Sequence, residues 1–241
     1  MYDLSAIASL LMSIILQYAP PFLLSLFSAL LFHYLIERWK RPDIDILEDQ
    51  DEYNPQFKQH FLHVRVVNKQ GKRINKNAAI DAESEVYIMD AKTRRLKEGS
   101  PFSTKWARLT TAVAAAKNDQ FYITYFPLNP PAERRINIYP GQMDGGKEGL
   151  QLDVILKNKG ESCCWIHDPQ LYHARADERE KWRLEKGTYY LMIRIRYAGG
   201  VSKPKFFILE NESEDPSKVK LKECPRQKLK ELKKLFKQYI S

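Results

Sequence analysis

Phe57-Lys58-Gln59-His60-Phe61-Leu62-His63-Val64-Arg65-Val66-Val67-Asn68 is the stretch that decides the fold. Phe61, His63, Arg65 and Val67 alternate with Leu62, Val64 and Val66, the period of two that a strand needs to put one face on a core. A turn cluster, Asn68-Lys69-Gln70-Gly71, ends it. The pattern recurs on both sides. Asp43–Glu52 is acidic and carries the alternation of Ile44 and Ile46, which reads as a first edge strand. Further strands are expected at Glu83–Met89, Arg135–Tyr139, Leu150–Leu156, Tyr189–Tyr197 and Lys205–Leu209. Within Tyr189–Tyr197, Ile193 and Ile195 should point inward and Arg194 and Arg196 outward. Short strands separated by Gly, Pro and Asn turns predict a mainly β, antiparallel sandwich. A doubly wound fold would need helical patterns of about 10–15 residues between strands. None has that length, although Ala112–Lys117 reads as a short helix inside a connection. The charged run Arg175–Arg183 reads as a solvated loop or helical turn, and Trp106 as a core residue.

The chain has 241 residues, enough for one ordinary domain with an appendage or two small domains. With 44% hydrophobic and 29% charged residues it has the composition of a globular protein, which excludes a disordered or fibrous one. Three cysteines exclude a disulfide scaffold. The net charge of +9 is uneven: from Lys218 to Ser241 there are nine Lys and Arg against Glu223 and Glu231. The basic character belongs to a tail.

No Asp, Glu, Lys or Arg occurs over the 33 residues from Leu4 to Ile36. A bilayer core takes about 20 apolar residues as a helix, so residues 1–40 are expected to form a transmembrane anchor. Pro20 and Pro21 sit near the middle and should kink or break the helix. Two arrangements fit: one kinked pass, which is the expected one, or a re-entrant hairpin that needs oligomeric neighbours. Met-Tyr-Asp at the start and Glu37-Arg38-Trp39-Lys40-Arg41 directly after the run disfavour a cleaved signal peptide. The positive-inside rule places the N-terminus outside and everything after Arg41 in the cytoplasm, with Tyr34 and Trp39 at interfacial positions. Ser5, Ser9, Ser13 and Gln17 recur every four residues along one helical face, a polar stripe that suits self-association or, more sharply, the lining of a narrow pore.

The tail, residues 216–241, should form an amphipathic helix. Leu229, Leu232, Leu235, Phe236, Tyr239 and Ile240 share one stripe, and Lys228, Lys230, Lys233, Lys234 and Lys237 lie mostly around the other side. Such a helix can contact the anionic cytoplasmic leaflet or a protein surface, or it can pack on the sandwich. Aromatic residues are too sparse among the lysines to make nucleic acid an expected partner.

Signals of chemistry are weak. Cys164-x-x-His167, with His173 nearby, lacks the ligands of a zinc site, Cys224 being the only thiol outside the Cys163-Cys164 pair. His60 and His63 are three apart on a strand and should face opposite sides. No Gly-x-Ser-x-Gly elbow, phosphate-binding loop or His-Glu-x-x-His helix occurs, and Gly145-Gly146 reads as a turn. No catalytic residue, metal or cofactor is expected.

The order of signals resembles membrane-anchored proteins of archaea and bacteria in which a short N-terminal transmembrane helix carries an immunoglobulin-like domain of the CARDB adhesion-module type. The resemblance covers residues 41–215 and runs through Arg41-Pro42, Phe61–Asn68, Trp106, Ile136–Gly141, Leu152-Asp153-Val154, Leu184–Tyr189 and Phe206–Asn211. It implies an immunoglobulin-like sandwich and a tethered arrangement, with Tyr189 placed for a corner hydrogen bond, and it implies no catalytic residues. The expected function is a non-enzymatic, membrane-anchored cytoplasmic binding or scaffold module with a protein partner. The alternative is a small membrane effector whose β-domain senses a ligand, such as an anionic nucleotide, and whose helices oligomerise into a pore.

Overall fold

Leu62, Val64 and Val66 are fully buried on one face of the deciding strand, and they meet an opposing layer across the core. In this computed structural model the described residues are 23–49, 51–54, 58–71, 76–107, 112–117, 120–125, 134–172, 174–175 and 177–239. A helix, α1 (residues 23–40), leads into β1 (Ile44–Glu48), β2 (Glu52–Asn54), β3 (Gln59–Asn68) and β4 (Ala79–Asp90). Then come β5 (Lys105–Trp106), β6 (Ala112–Lys117), β7 (Gln120–Tyr125), β8 (Ile136–Ile138), β9 (Met143–Asp144) and β10 (Lys147–Glu148). The chain continues through β11 (Leu150–Asn158), β12 (Cys164–Ile166), β13 (Arg183–Leu184), β14 (Gly187–Tyr197), β15 (Gly200–Val201), β16 (Lys205–Asn211) and β17 (Lys220–Glu223), and closes with a helix, α2 (Arg226–Leu235).

Most strands form two antiparallel sheets, beside the two-stranded hairpins β9–β10 and β6–β7. The first runs β1-β3-β11-β12-β13, with β2 on β3 and β5 on β11. The second runs β17-β16-β14-β4-β8, with β15 on β14. Trp106, Leu152, Val154 and Ile155 from the first sheet pack against Val86, Ile88, Leu191, Ile193, Ile195, Phe207 and Leu209 from the second. Each such side chain removed from water contributes about 1.5–3 kcal/mol, so this common core is the main source of stability. The sandwich expected from the sequence is therefore present. Ile193 and Ile195 face the core, while Arg194 and Arg196 lie outward on the Glu85 carboxylate.

One expectation is overturned. Ala112–Lys117 is the strand β6, paired in antiparallel register from Ala112↔Tyr125 to Lys117↔Gln120. The helix preference of alanine is a few tenths of a kcal/mol per residue. A hairpin partner rich in aromatic and β-branched residues, Phe121-Tyr122-Ile123-Thr124-Tyr125, outweighs it. The charged run reads as expected, with a 3-10 turn at Glu178–Trp182. Lys220–Glu223, inside the segment read as the tail, adds the edge strand β17 to β16.

Both ends of the sandwich are tied by a buried asparagine that finishes a strand. At one end Asn68 donates to the carbonyls of Asn77 (2.9 Å) and Ile138 (3.0 Å), and its side-chain oxygen accepts from Asp43 N (3.1 Å). The last carbonyls of α1 are satisfied beside it, Trp39 O by Lys76 Nζ (2.8 Å) and Lys40 O by Asn77 N (2.7 Å). At the opposite end Asn211 donates to Ser162 O (3.2 Å), Leu184 O (3.4 Å) and Glu185 O (3.0 Å) and accepts from Lys157 Nζ (3.0 Å). Entry into β11 depends on Gly149, whose φ is +96° and where a Cβ would stand 2.6 Å from the Val66 carbonyl oxygen.

Tyr189, near the start of β14, donates its hydroxyl to Glu185 O at 3.1 Å, the corner bond the sequence suggested. Burial comes first in pushing its phenol up, to about 12, with the charges of Asp90 and Glu185 adding, so it stays a donor at neutral pH. Tyr189→Phe should cost about 0.5–1.5 kcal/mol by urea denaturation at pH 7, without changing the denaturant slope.

The C-terminal helix settles on the outer face of the second sheet. Leu232 and Phe236 are buried against Tyr87, Met89, Met192 and Phe206, with Leu229, Leu235 and Tyr239 partly buried around them. Phe206 and Phe236 rings meet at 5.9 Å between centroids. Of the alternatives the sequence left open for the apolar stripe, packing on the sandwich is the one observed; Ile240 lies outside the described residues.

Candidate functional site

Ser5, Ser9, Ser13, Gln17, Pro20 and Pro21 lie outside the described residues. The described part of the apolar run is α1. Its Leu23, Leu24, Leu26, Phe27, Leu30, Leu31 and Phe32 are 46–68% exposed. Its last residues meet the sandwich: Glu37 lines a cleft of about 590 Å³ with Arg41, Ile80, Tyr197 and Gly199. Among the described residues no helix is long and apolar enough to cross a membrane.

Lys228, Lys230, Lys233 and Lys234 of α2 and Lys237 in the 3-10 turn after it are all exposed. No sequence pattern points to what stands beside them. The turn after β4 carries Lys92, Arg94, Arg95 and Lys97, and it is fixed to α2 by the Arg94–Glu231 ion pair at 2.9 Å and by Leu96, which packs into the same apolar cluster. Two segments 137 residues apart thus form one basic face, while Lys97 Nζ donates to Glu180 O at 3.3 Å. Among the described residues, none of Lys92, Arg95, Arg226 or the five lysines has a carboxylate within 4.0 Å. Elsewhere many cations are matched, as in Arg65–Asp49, Arg134–Asp168, Arg183–Glu180 and Lys222–Glu210.

A second cluster lies on the outer face of the first sheet. The register of β3 on β11 sets His63 directly opposite Asp153, beside a bulge between Asp153 and Ile155. His63 Nδ1–H donates to Asp153 Oδ1 at 2.7 Å, and His167 Nδ1 lies 3.5 Å from Asp153 Oδ2. Phe61 covers both rings, at 6.3 Å from His63 and 5.4 Å from His167. His63 Nε2 is buried without a hydrogen-bond partner among the described residues, and the Glu52 carboxylate is 3.9 Å from it. Burial acts first on Asp153 and would raise its pKa, but the hydrogen bonds and charge of His167 and His63 outweigh it and hold the carboxyl far below the usual range. Burial would likewise push His63 down, yet the Asp153 hydrogen bond and charge, with Glu52 and Asp49, leave it raised above 6.5.

These two shifts give a signed pH dependence. The raised His63 contributes stability that is complete below pH 6.5 and is lost as pH rises through its higher folded value. The depressed Asp153 contributes above its ordinary value of 3.8 and is lost only as pH falls through its folded one. Thermal midpoints should therefore decline from about pH 6.5 upward. Asp153→Asn should lower the midpoint at pH 6 and flatten that decline; an unchanged slope in the variant would show that another group titrates.

The cluster ties β3, β11 and the segment after β12 together, and both Asp153 oxygens are committed to imidazoles. Among the described residues no group of three or more His, Cys, Asp or Glu side chains has a geometry that holds a metal. Cys163, Cys164 and Cys224 are free and buried, and burial is the first cause pushing the Cys164 thiol up to about 12, away from nucleophilic use. His60 and His63 do go to opposite faces: His60 Nδ1 is 2.5 Å from Pro216 O, where a cleft of about 410 Å³ opens between Asp51, Lys159 and Ser217. No family model matches the chain, and no curated protein or solved structure is significantly similar to it.

Proposed function

We propose that this chain is a membrane-tethered, non-catalytic binding module: an immunoglobulin-like sandwich held at the cytoplasmic face by the apolar N-terminal segment. The observation that carries the reading is the surface of α1. Leucine and phenylalanine stand exposed around the helix, with no face reserved for the sandwich, and a helix apolar all round is out of place in water. It continues an uncharged run that begins at Leu4, and Arg38, Lys40 and Arg41 at its end carry the charge that marks a cytoplasmic boundary. The immunoglobulin-like part is supported by β3 and β11 lying side by side with β4, β14 and β16 opposite, and by the Tyr189 corner bond. A binding role is supported by the exposed lysines of α2, which have no carboxylate within 4.0 Å among the described residues while exposed cations elsewhere, such as Lys222 with Glu210, do.

The test is alkaline carbonate extraction of membranes from cells producing the full chain, with protease digestion of right-side-out and inverted vesicles. The module should stay in the membrane fraction, and the sandwich should be cleaved only in inverted vesicles. Release of the chain into the carbonate supernatant would overturn the tether, and cleavage in right-side-out vesicles would overturn the topology.

A further inference from the structure

We infer that the composite basic face, the Lys92–Lys97 turn joined to the cationic side of α2, docks on an anionic lipid surface and lays the sandwich on its side against the leaflet that holds α1. The inference rests on the tethered reading and adds an orientation to it. Four observations carry it. Lysine outnumbers arginine on this face, and lysine is a compact, hydrated charge that suits a diffuse negative surface better than bidentate recognition. The face is an exposed helix side and a turn tip rather than a groove. The apolar stripe of α2 is already spent on Tyr87, Met89, Met192 and Phe206, so attachment here is electrostatic and not by insertion. And α1 meets the body at Ile80 and Tyr197–Gly199, the end of the same sheet whose outer face carries α2, so a pivot at Arg41-Pro42 that releases the Lys76–Trp39 and Asn77–Lys40 hydrogen bonds brings that face to the bilayer.

Distance makes the inference sharp. The Lys92–Lys97 turn follows the far end of β4, 12 residues from the end beside α1, or about 40 Å. An upright sandwich would hold the turn several Debye lengths from the headgroups, where a leaflet exerts no useful attraction, since the screening length in physiological salt is about 8 Å. A recumbent one places the whole face at the surface, where each cation favours contact about fivefold, and the tether supplies the proximity.

The experiment uses the full chain in nanodiscs, with a fluorophore on Gln238→Cys, beside the basic face and outside it, and nitroxide-labelled headgroups as quencher. In phosphatidylcholine discs the label should be weakly quenched. With about a third phosphatidylserine, quenching should rise severalfold, fall again at high salt, and be lost in Lys230→Glu/Lys233→Glu/Lys234→Glu. Equal quenching in both lipids, or phosphatidylserine-dependent quenching that survives the triple reversal, overturns the inference. So does low-salt binding of an oligonucleotide or polyglutamate to the chain in neutral discs, if quenching by phosphatidylserine is absent, because the face then belongs to a soluble polyanion. A chain that does not enter discs at all fails the tethered reading instead.

Discussion

Asn211→Leu should destabilise the sandwich by about 3–5 kcal/mol, the effect of stripping a buried charge of its partner. Lys157 is 0% exposed, and its ammonium donates to Asn211 Oδ1. The same amide holds three carbonyls from the 162 turn and the 184–185 segment. The variant leaves all of them facing an apolar side chain. Lys157→Met should be far milder, about 1–2 kcal/mol at most, because it removes the charge along with its need. Combined with Asn211→Leu it should recover part of the larger loss. A double-mutant cycle by guanidinium denaturation reads the coupling, expected at about 2 kcal/mol. A coupling under about 0.5 kcal/mol would mean that Lys157 does not depend on Asn211.

Phe236→Ala should cost about 3–5 kcal/mol, the range for emptying a large aromatic site in a packed cluster. Its consequence should be local first. Phe236 is fully buried against Phe206 at the end of α2, and the helix meets the sheet through that cluster rather than the main core. Hydrogen exchange should show α2 and the Lys92–Lys97 turn losing protection together, since Leu96 and Arg94–Glu231 join them, while β3, β11 and β14 keep theirs. Lys233→Ala, on the exposed side of the same helix, should stay within about 0.5 kcal/mol of the unaltered chain. Uniform loss of protection across the sandwich would show that the helix is part of one cooperative unit.

Alternation made β3, β4, β11, β14 and β16 legible in the sequence, because a strand that lines a core must repeat every second residue. Strands of two to four residues, such as β5, β12, β13 and β17, are too short to show a period, and their pairing is decided by neighbours. Ala112–Lys117 misled for the opposite reason: its composition favours a helix, and only the Gln120–Tyr125 partner makes it a strand. The tail's stripe was visible, but what it covers was not, since Tyr87, Met89, Met192 and Phe206 come from three strands. The Asp153 cluster and the basic face share this limit. His63 and Asp153 are 90 residues apart, and only the register of β3 on β11 brings them together. One sequence signal did exist. His63 and Arg65 interrupt an apolar run from one face only, as Asp153 does in Leu152-Asp153-Val154, so two strands each announced a polar outer face.

The junction at Asn68 also governs how the protein bears tension. Pull applied through α1 enters β1 at Ile44, the residue opposite Asn68. The β1–β3 hydrogen bonds lie across the strands, so a load along β1 is shared by the whole ladder at once rather than opening it one rung at a time. Lys76, Asn77 and Asp43 clamp the same corner. A load drawn along β1 through the helix thus meets a shear joint at the point where a peeling joint would be the weakest link.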